Sequence, residues 1–415
     1  MRKPLLLLLL FASLSLAAGY GESWVRIERV WTVDGGGNYS FEGTLAVNNS
    51  NQRVVEIITD PPMEIVQGPE GNLKVRHNGS EKTLRAIAIV AIKFDTNLTS
   101  DPPLQWQSLG STNYTAWDEA MEEEAEGLAE NGSSLNTTRN LANFVHDYVE
   151  YNISYFGLVR PAQEVFAGRQ GVCVEYSHLL IAMARSLGLD TRFVSGYVNG
   201  GVWQPHAWVE IVVPGYGPLS VDPTFGEAGE LDGSHAAVGT GEDQASIYDR
   251  IESVGGLNLS VTDSAEFINE SYDPRGLGVA YSFDDSTGAL RMLLMNRRQE
   301  YVFGTYELTL PEKFGMNERK VLLFGPGEVK RLTYMFNMSD FTPGYRYTVP
   351  LTASLGDSVL SELLTVEVAP PAQPPVQAEP SCLSGTILVA LPAAALLFFL
   401  WQPRRLRKRP RRANR

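Results

Sequence analysis

At 415 residues the chain is longer than the roughly 250–300 residues at which single cores stop growing, so two to four units are expected. With 44% hydrophobic and 20% charged residues, 38 Gly and 24 Pro, it has globular composition, which excludes a wholly disordered, collagen-like or coiled-coil protein. The net charge of -14 is uneven: Arg2 and Lys3 at one end and eight cations in residues 404–415 at the other leave an excess of 24 acidic groups between them. That field repels phosphate backbones and argues against nucleic-acid binding.

In chain order, residues 1–18 read as a secretory signal peptide. Arg2 and Lys3 precede the apolar run Leu5 to Leu16, and small residues follow at Ala17, Ala18 and Gly19. From Ser23 to about Pro103 apolar and polar residues alternate in short runs such as Val25-Arg26-Ile27-Glu28-Arg29-Val30, broken by Gly- and Asn-rich turns. This predicts an antiparallel N-terminal β domain within residues 19–110. Between Thr115 and Tyr151 the apolar spacing lengthens to three and four, which predicts two amphipathic helices separated by Asn131-Gly132-Ser133-Ser134. A third helical pattern opens at Gly171-Val172-Cys173 and should stop at Gly188. Two strands follow, Ala207 to Val213 and Leu219 to Val221, joined by the turn Pro214-Gly215-Tyr216-Gly217-Pro218. Residues 111–255 are therefore expected to form a central domain.

Short strands return from about Tyr272 to Val368, which predicts a second β-sandwich over residues 256–368. Residues 369–382 are Pro-rich and read as an extended stalk. Residues 383–401 are almost uncharged and long enough, at about 1.5 Å per residue, to cross a hydrocarbon core of about 30 Å. The basic tail, residues 402–415, then marks the cytoplasmic side and leaves the body outside. Eleven Asn-x-Ser/Thr sequons, from Asn38 to Asn337, all fall between signal and anchor. Chance would place about three among the 20 asparagines, so surface N-glycosylation is expected.

Only two cysteines occur, Cys173 and Cys382, too few for a disulfide framework. Cys173 falls at a helix N-terminus, where free N–H groups and the positive dipole end stabilise a thiolate, and Gly171 permits close approach of a substrate. His206 heads the first of the two strands and Asp222 ends the second, so they can serve as a base and the carboxylate that holds its tautomer. One difficulty is geometric. A hairpin centred symmetrically on Tyr216 places Asp222 opposite Glu210, on the face of His206 but about four residues away along the strand, and a stagger, bulge or bend is required.

The blocks Gly171-Val172-Cys173-Val174-Glu175-Tyr176, Ala184-Arg185-Ser186-Leu187-Gly188-Leu189, His206-Ala207-Trp208-Val209-Glu210 and Asp222-Pro223-Thr224, in this order and spacing, resemble the transglutaminase-like superfamily of papain-type thiol enzymes. The resemblance covers roughly residues 115–250 and suits a membrane-anchored prokaryotic member, the archaea included. It implies Cys173 as nucleophile, His206 as base and Asp222 as orienting carboxylate. It also implies a papain-like/transglutaminase-like core; with the strands and the apolar segment read above, the expected fold is α+β, that core flanked by N-terminal and C-terminal β-sandwich domains and followed by one transmembrane helix. Members include crosslinkers, proteases and amidases, so the resemblance does not choose the substrate.

Other residues carry weaker expectations. His178 lies about 140° around the helix from Cys173 and is expected to pack. His235 reads as a loop histidine, and His77 and His146 show no partner in the sequence. The spacing of His and Cys points to no metal site and no cofactor. Trp203 and Trp208 flank His206 and could wall the cleft, with core packing the expected role of Trp208. Gln163 is a candidate second oxyanion donor beside the Cys173 N–H. Glu227, Glu230 and Asp232 either favour a cationic substrate or form a solvated loop.

The expectation is a cell-surface, single-pass membrane protein whose partners are a protein or peptide substrate and, through the C-terminal helix, the membrane. Its Cys-His-Asp triad would act on peptide or glutamine amide bonds through a thioester, with hydrolysis preferred because water is abundant and no second amine pocket shows. Transglutaminase-type crosslinking and a non-catalytic binding or adhesion scaffold are the alternatives.

Overall fold

The computed structural model describes residues 22–93, 98–105, 107, 109–229, 231, 233–270 and 276–370. The expected signal peptide, membrane helix, basic tail, nearly all of the stalk, and Cys382 lie outside the described residues. Among the described residues, no helix is long and apolar enough to cross a membrane.

The period-two segments at the start form β1 (Glu22–Asp34), β2 (Tyr39–Val47), β3 (Gln52–Asp60), β4 (Glu64–Gln67), β5 (Asn72–Gly79) and β6 (Thr83–Lys93). Along β1 buried and half-buried positions alternate from Val25 to Val33, because successive side chains of a strand point to opposite faces. The inward set, with Ile27, Trp31, Phe41, Leu45 and Val75, forms one apolar core.

The helices come next. Helix α1 (Glu119–Leu128) is capped by Asp118, which accepts from Met121 N, and α2 (Ser134–Tyr148) by Ser133, which accepts from Asn136 N; these side chains replace intrahelical acceptors missing in the first turn. The strand pair β7 (Glu150–Tyr151) and β8 (Gln170–Gly171) brackets a short helix α3 (Ala162–Gly168). Helix α4 (Cys173–Ser186) is buried from Glu175 to Ser186, and its buried polar side chains are paired, as with Glu175, His178 and Arg185. It ends where the sequence predicts: Gly188, at φ 80°, donates to Arg185 O and Leu189 N to Ala184 O, the two bonds of a Schellman cap.

Helix α4 lies against an antiparallel sheet of β9 (Thr191–Asn199), β10 (Trp203–Val213), β11 (Gly217–Asp222), β12 (Glu227–Gly229) and β13 (His235–Gly241), ordered β12-β11-β10-β9-β13. The odd-numbered residues of β10, Ala207 to Val213, pack in the core that holds the helix. The even-numbered ones, His206, Trp208 and Glu210, fall on the other face.

The boundary expected between residues 255 and 256 falls elsewhere in the structure. Strands β14 (Arg250–Ser253) and β15 (Asn258–Asn269) return to the N-terminal layers, β14 pairing with β2 and β15 with β1 over most of its length. They complete the sheets β14-β2-β5-β4 and β15-β1-β6-β3. Strand β15 is at most half-buried, so it offers little apolar signal, and its partner lies more than two hundred residues away.

Strands β16 (Leu277–Asp284), β17 (Ala289–Asn296) and β20 (Val329–Met335) make one sheet. Strands β18 (Val302–Thr309), β19 (Glu318–Phe324), β21 (Arg346–Leu355) and β22 (Ser358–Glu367) make another, and the two share a third core. This C-terminal layer grips α2. Asn143 Nδ2 donates to Val321 O at 3.0 Å and Val321 N donates to Asn143 Oδ1 at 2.8 Å.

Candidate active site

Cys173 opens α4, so its own N–H belongs to the first turn and has no intrahelical acceptor. Glu175, two positions further on, turns back to accept from Val172 N at 2.9 Å and from Arg160 N at 3.1 Å. Its carboxyl titrates above the usual range because it is buried, an effect the backbone donors offset only in part.

The hairpin that carries the other two residues resolves the geometric difficulty. Register runs Val209↔Val221, Glu210↔Ser220 and Val213↔Gly217, so the loop is the three residues 214–216, with Gly215 at φ 79°. The hairpin turns about Gly215 rather than Tyr216, which moves the β11 side by two positions. Continuing the register sets Asp222 across from Trp208, a diagonal neighbour of His206 on the same face and within side-chain reach. No bulge is needed between them.

His206 Nε2–H donates to Asp222 Oδ2 at 2.7 Å, and the Cys173 side chain lies close enough to the imidazole to favour its protonated form. Cys173 and His206 line one cavity of about 220 Å³. The structure therefore brings together all three residues picked from the sequence.

Burial strongly shapes the electrostatics. Asp222 is fully buried; burial alone would raise its pKa, but the charge and hydrogen bonds of His206 and the hydrogen bond from His235 hold it below the usual carboxylate range. Its other oxygen, Oδ1, accepts from Thr224 N at 2.8 Å and Phe225 N at 3.2 Å. Burial likewise disfavours a proton on His206. The charge and hydrogen bond of Asp222 outweigh it, with a smaller contribution from Cys173, and push its pKa up to about 10.

Two neighbours escaped the sequence reading. His235, read as a loop histidine, begins β13, is buried, and donates from Nε2 to Asp222 Oδ2 at 3.1 Å. Phe225 stacks on His206 with centroids 4.9 Å apart at 13°. An aromatic three residues after Asp222 was the only available signal for the second, and nothing in the chain order ties β13 to β11. The spacing of residues pointed to no metal site, yet folding gathers His206, Asp222 and His235 with ligand atoms within 4.8 Å. They are the residues that could hold a metal, and the two hydrogen bonds to one carboxylate oxygen account for the cluster without one.

The remaining candidates separate clearly. Trp208 is core, stacked near His206 and edge-on to His235. Trp203 packs on Phe267 instead and does not line the cavity. Gln163 lies exposed on α3 and off the cavity lining, so the second oxyanion donor is not this side chain. Glu227 pairs with Arg319 at 3.1 Å rather than facing the thiol, while Glu230 and Asp232 lie outside the described residues. His178 packs, its Nδ1 bonded to Arg160 O at 3.1 Å and its ring stacked on Tyr114. His146 and His77 both have partners, Pro223 O and Glu81.

Fold and site together define a domain in which one helix presents a thiol to an imidazole–carboxylate pair on an antiparallel sheet. The family model that matches, the transglutaminase-like superfamily, spans residues 123–223, from α1 to just beyond Asp222. An uncharacterized protein of Mycobacterium tuberculosis is 28% identical over 123 residues, which cover 26% of this chain and 38% of that one. A protein-glutamine gamma-glutamyltransferase of Pseudomonas aeruginosa is 35% identical over 77 residues, 16% of this chain and 12% of that protein. A candidate cysteine protease from Cytophaga hutchinsonii superposes with a TM-score of 0.47 and 18% identity over 61% of this chain and 93% of that one. The chain thus spans well under two thirds of the curated relatives it matches, and its likeness to the transglutaminase-like superfamily is carried by residues 123–223.

Proposed function

We propose that the protein is a cell-surface thiol enzyme that cleaves peptide or glutamine amide bonds through Cys173, His206 and Asp222. The observation that carries this reading is a helix-terminal thiol that shares one cavity with His206, whose imidazole is hydrogen-bonded to a buried Asp222. Cys173 Sγ attacks the amide carbonyl as a thiolate, forming the C–S bond, while the Cys173 N–H stabilises the oxyanion. The His206 imidazolium gives its proton to the leaving amine as the C–N bond breaks. The thioester is then opened by water, which His206 deprotonates, returning acid, thiol and imidazole. Throughout, Asp222 holds the tautomer and the positive charge of His206.

The outer-surface location rests on the sequence: signal, anchor and basic tail. It is supported by accessibility, since none of the ten described sequon asparagines is buried, as glycan attachment requires. Amine transfer in place of hydrolysis is the second reading, favoured by the name of the Pseudomonas relative. The test is incubation of the purified full chain with a peptide library, with and without an amine acceptor, read by mass spectrometry. Acids as products support hydrolysis, amine adducts support transfer, and unchanged peptides with an unreactive Cys173 refute both.

A further inference from the structure

The cavity that leads to Cys173 is walled on one side by the segment 153–159, the 3₁₀ turn Ile153–Tyr155 and the residues after it. Across from it lie Phe193 and Pro205. Two large apolar side chains of the lining stand open, Phe156 at 70% and Leu158 at 59% exposed, and Ile153 at 67% and Tyr151 at 52% precede them in the chain. Exposed apolar area costs about 25 cal/mol per Å², and a contiguous patch of it beside a cleft marks a surface that is covered when the protein works.

The charged groups nearby are already committed. Glu175, the only carboxylate of the lining, accepts two backbone N–H groups. The Arg160 guanidinium lies over the Tyr155 ring at 4.7 Å and bonds Gln170 O and Glu164. An anionic side chain would meet only His206, already paired with Asp222, and a cationic one would meet no uncommitted carboxylate, whereas an apolar one would gain the walls.

Resting on the reading of Cys173 as nucleophile, we infer that the substrate is a peptide segment with large apolar or aromatic side chains beside the reacting amide, gripped by Phe156, Leu158 and Val159. The reacting carbonyl must reach Sγ through this cavity, so the residues next to it necessarily meet these walls. Phe156 and Leu158 can be changed without touching the core.

The test uses matched fluorogenic peptides that differ only in the flanking residues, Leu or Phe against Ser, Lys or Asp. Turnover is measured with the full chain, and binding with its Cys173→Ala variant. Apolar peptides are expected to show kcat/KM at least about ten-fold higher than the others and correspondingly tighter binding. The double variant Phe156→Ser/Leu158→Ser should erase that preference, bringing kcat/KM for the Leu- and Phe-flanked peptides to the same level as for the Ser-flanked one. Ile58→Ser, an exposed apolar position on β3, should keep it. Turnover without an apolar preference, or a preference that survives the double variant, overturns the inference and leaves the thiol-enzyme reading standing. Selective binding of apolar peptides without turnover of any does the reverse, and absence of both overturns both.

Discussion

Two buried carboxylates sit on one sheet face, Glu210 on β10 and Asp222 on β11, and they have opposite fates. Asp222 is met by four donors, two imidazoles and two backbone N–H groups, and stays below the ordinary range. Glu210, also buried, receives only the amides of Asn49 and Asn51 on Oε1, at 3.0 and 3.2 Å, and its Oε2 has no partner. Burial drives its pKa up, and the two amides and the charge of Arg192, its cross-strand partner on β9, do not recover the loss. Depth is the same in both places. The difference lies in whether the surroundings supply charge and a full set of donors, which shows that the Asp222 site is built to hold an anion.

The severest way to break the contrast is Asp222→Asn. Turnover should fall on the order of 10⁴-fold, as when a triad aspartate is neutralised elsewhere. The His206 midpoint, followed by NMR, should drop from about 10 to below the usual imidazole value, because burial then acts unopposed. A His206 midpoint unchanged in that variant would sink the assignment.

His235→Ala is expected to be milder, about ten-fold in kcat, from the loss of one buried hydrogen bond. Here the His206 midpoint should move up, since Asp222 Oδ2 is no longer shared. His235→Gln, which keeps a donor, should restore most of the rate. Equal and downward shifts in both His235 variants would mean that His235 merely fills space.

Stability against pH sharpens the comparison further. His206 is raised on folding, so its contribution is complete below the unfolded imidazole value of about 6.5 and fades as pH rises towards about 10. Asp222 is lowered, so its contribution is complete above about 3.9 and fades as pH falls below that. Both record one interaction, and melting temperature should therefore be highest between about pH 4 and 6.5, with the alkaline decline absent in Asp222→Asn. The smallest effect belongs to Glu210. Its raised pKa means that ionisation opposes folding, so Glu210→Gln should raise the melting temperature at pH 7 slightly, with unchanged turnover. A lower melting temperature would show that the Glu210 charge is stabilising after all.

Much of this was legible in advance, for local reasons. Cys173 was found because a helix start is written in the chain itself, through Gly171 before it and the apolar spacing up to Gly188 after it. His206 and Asp222 came from strand ends and from a family resemblance carried by short blocks. What was not legible depended on pairing between distant segments. His235 reaches Asp222 only because β13 lies beside β9, across the sheet from β11. Strand β15 has a half-polar pattern that names no partner, and the hairpin holds two glycines of positive φ, Gly215 and Gly217, so neither alone marks the centre of the turn.

The return of β14 and β15 to the N-terminal sheets also sets an order of events during synthesis. When β6 leaves the ribosome, β1 and β2 each still lack a neighbour that is encoded only from residue 250 onward. At roughly 5–20 residues per second, the outer edge of β1 waits on the order of ten seconds or more for β15. During that time the whole helix-and-sheet domain emerges between the two halves of its own support. An edge strand open for so long invites pairing with a neighbouring chain. Arg26, Glu28 and Arg29, spaced along β1, put charge on the strand that has to wait.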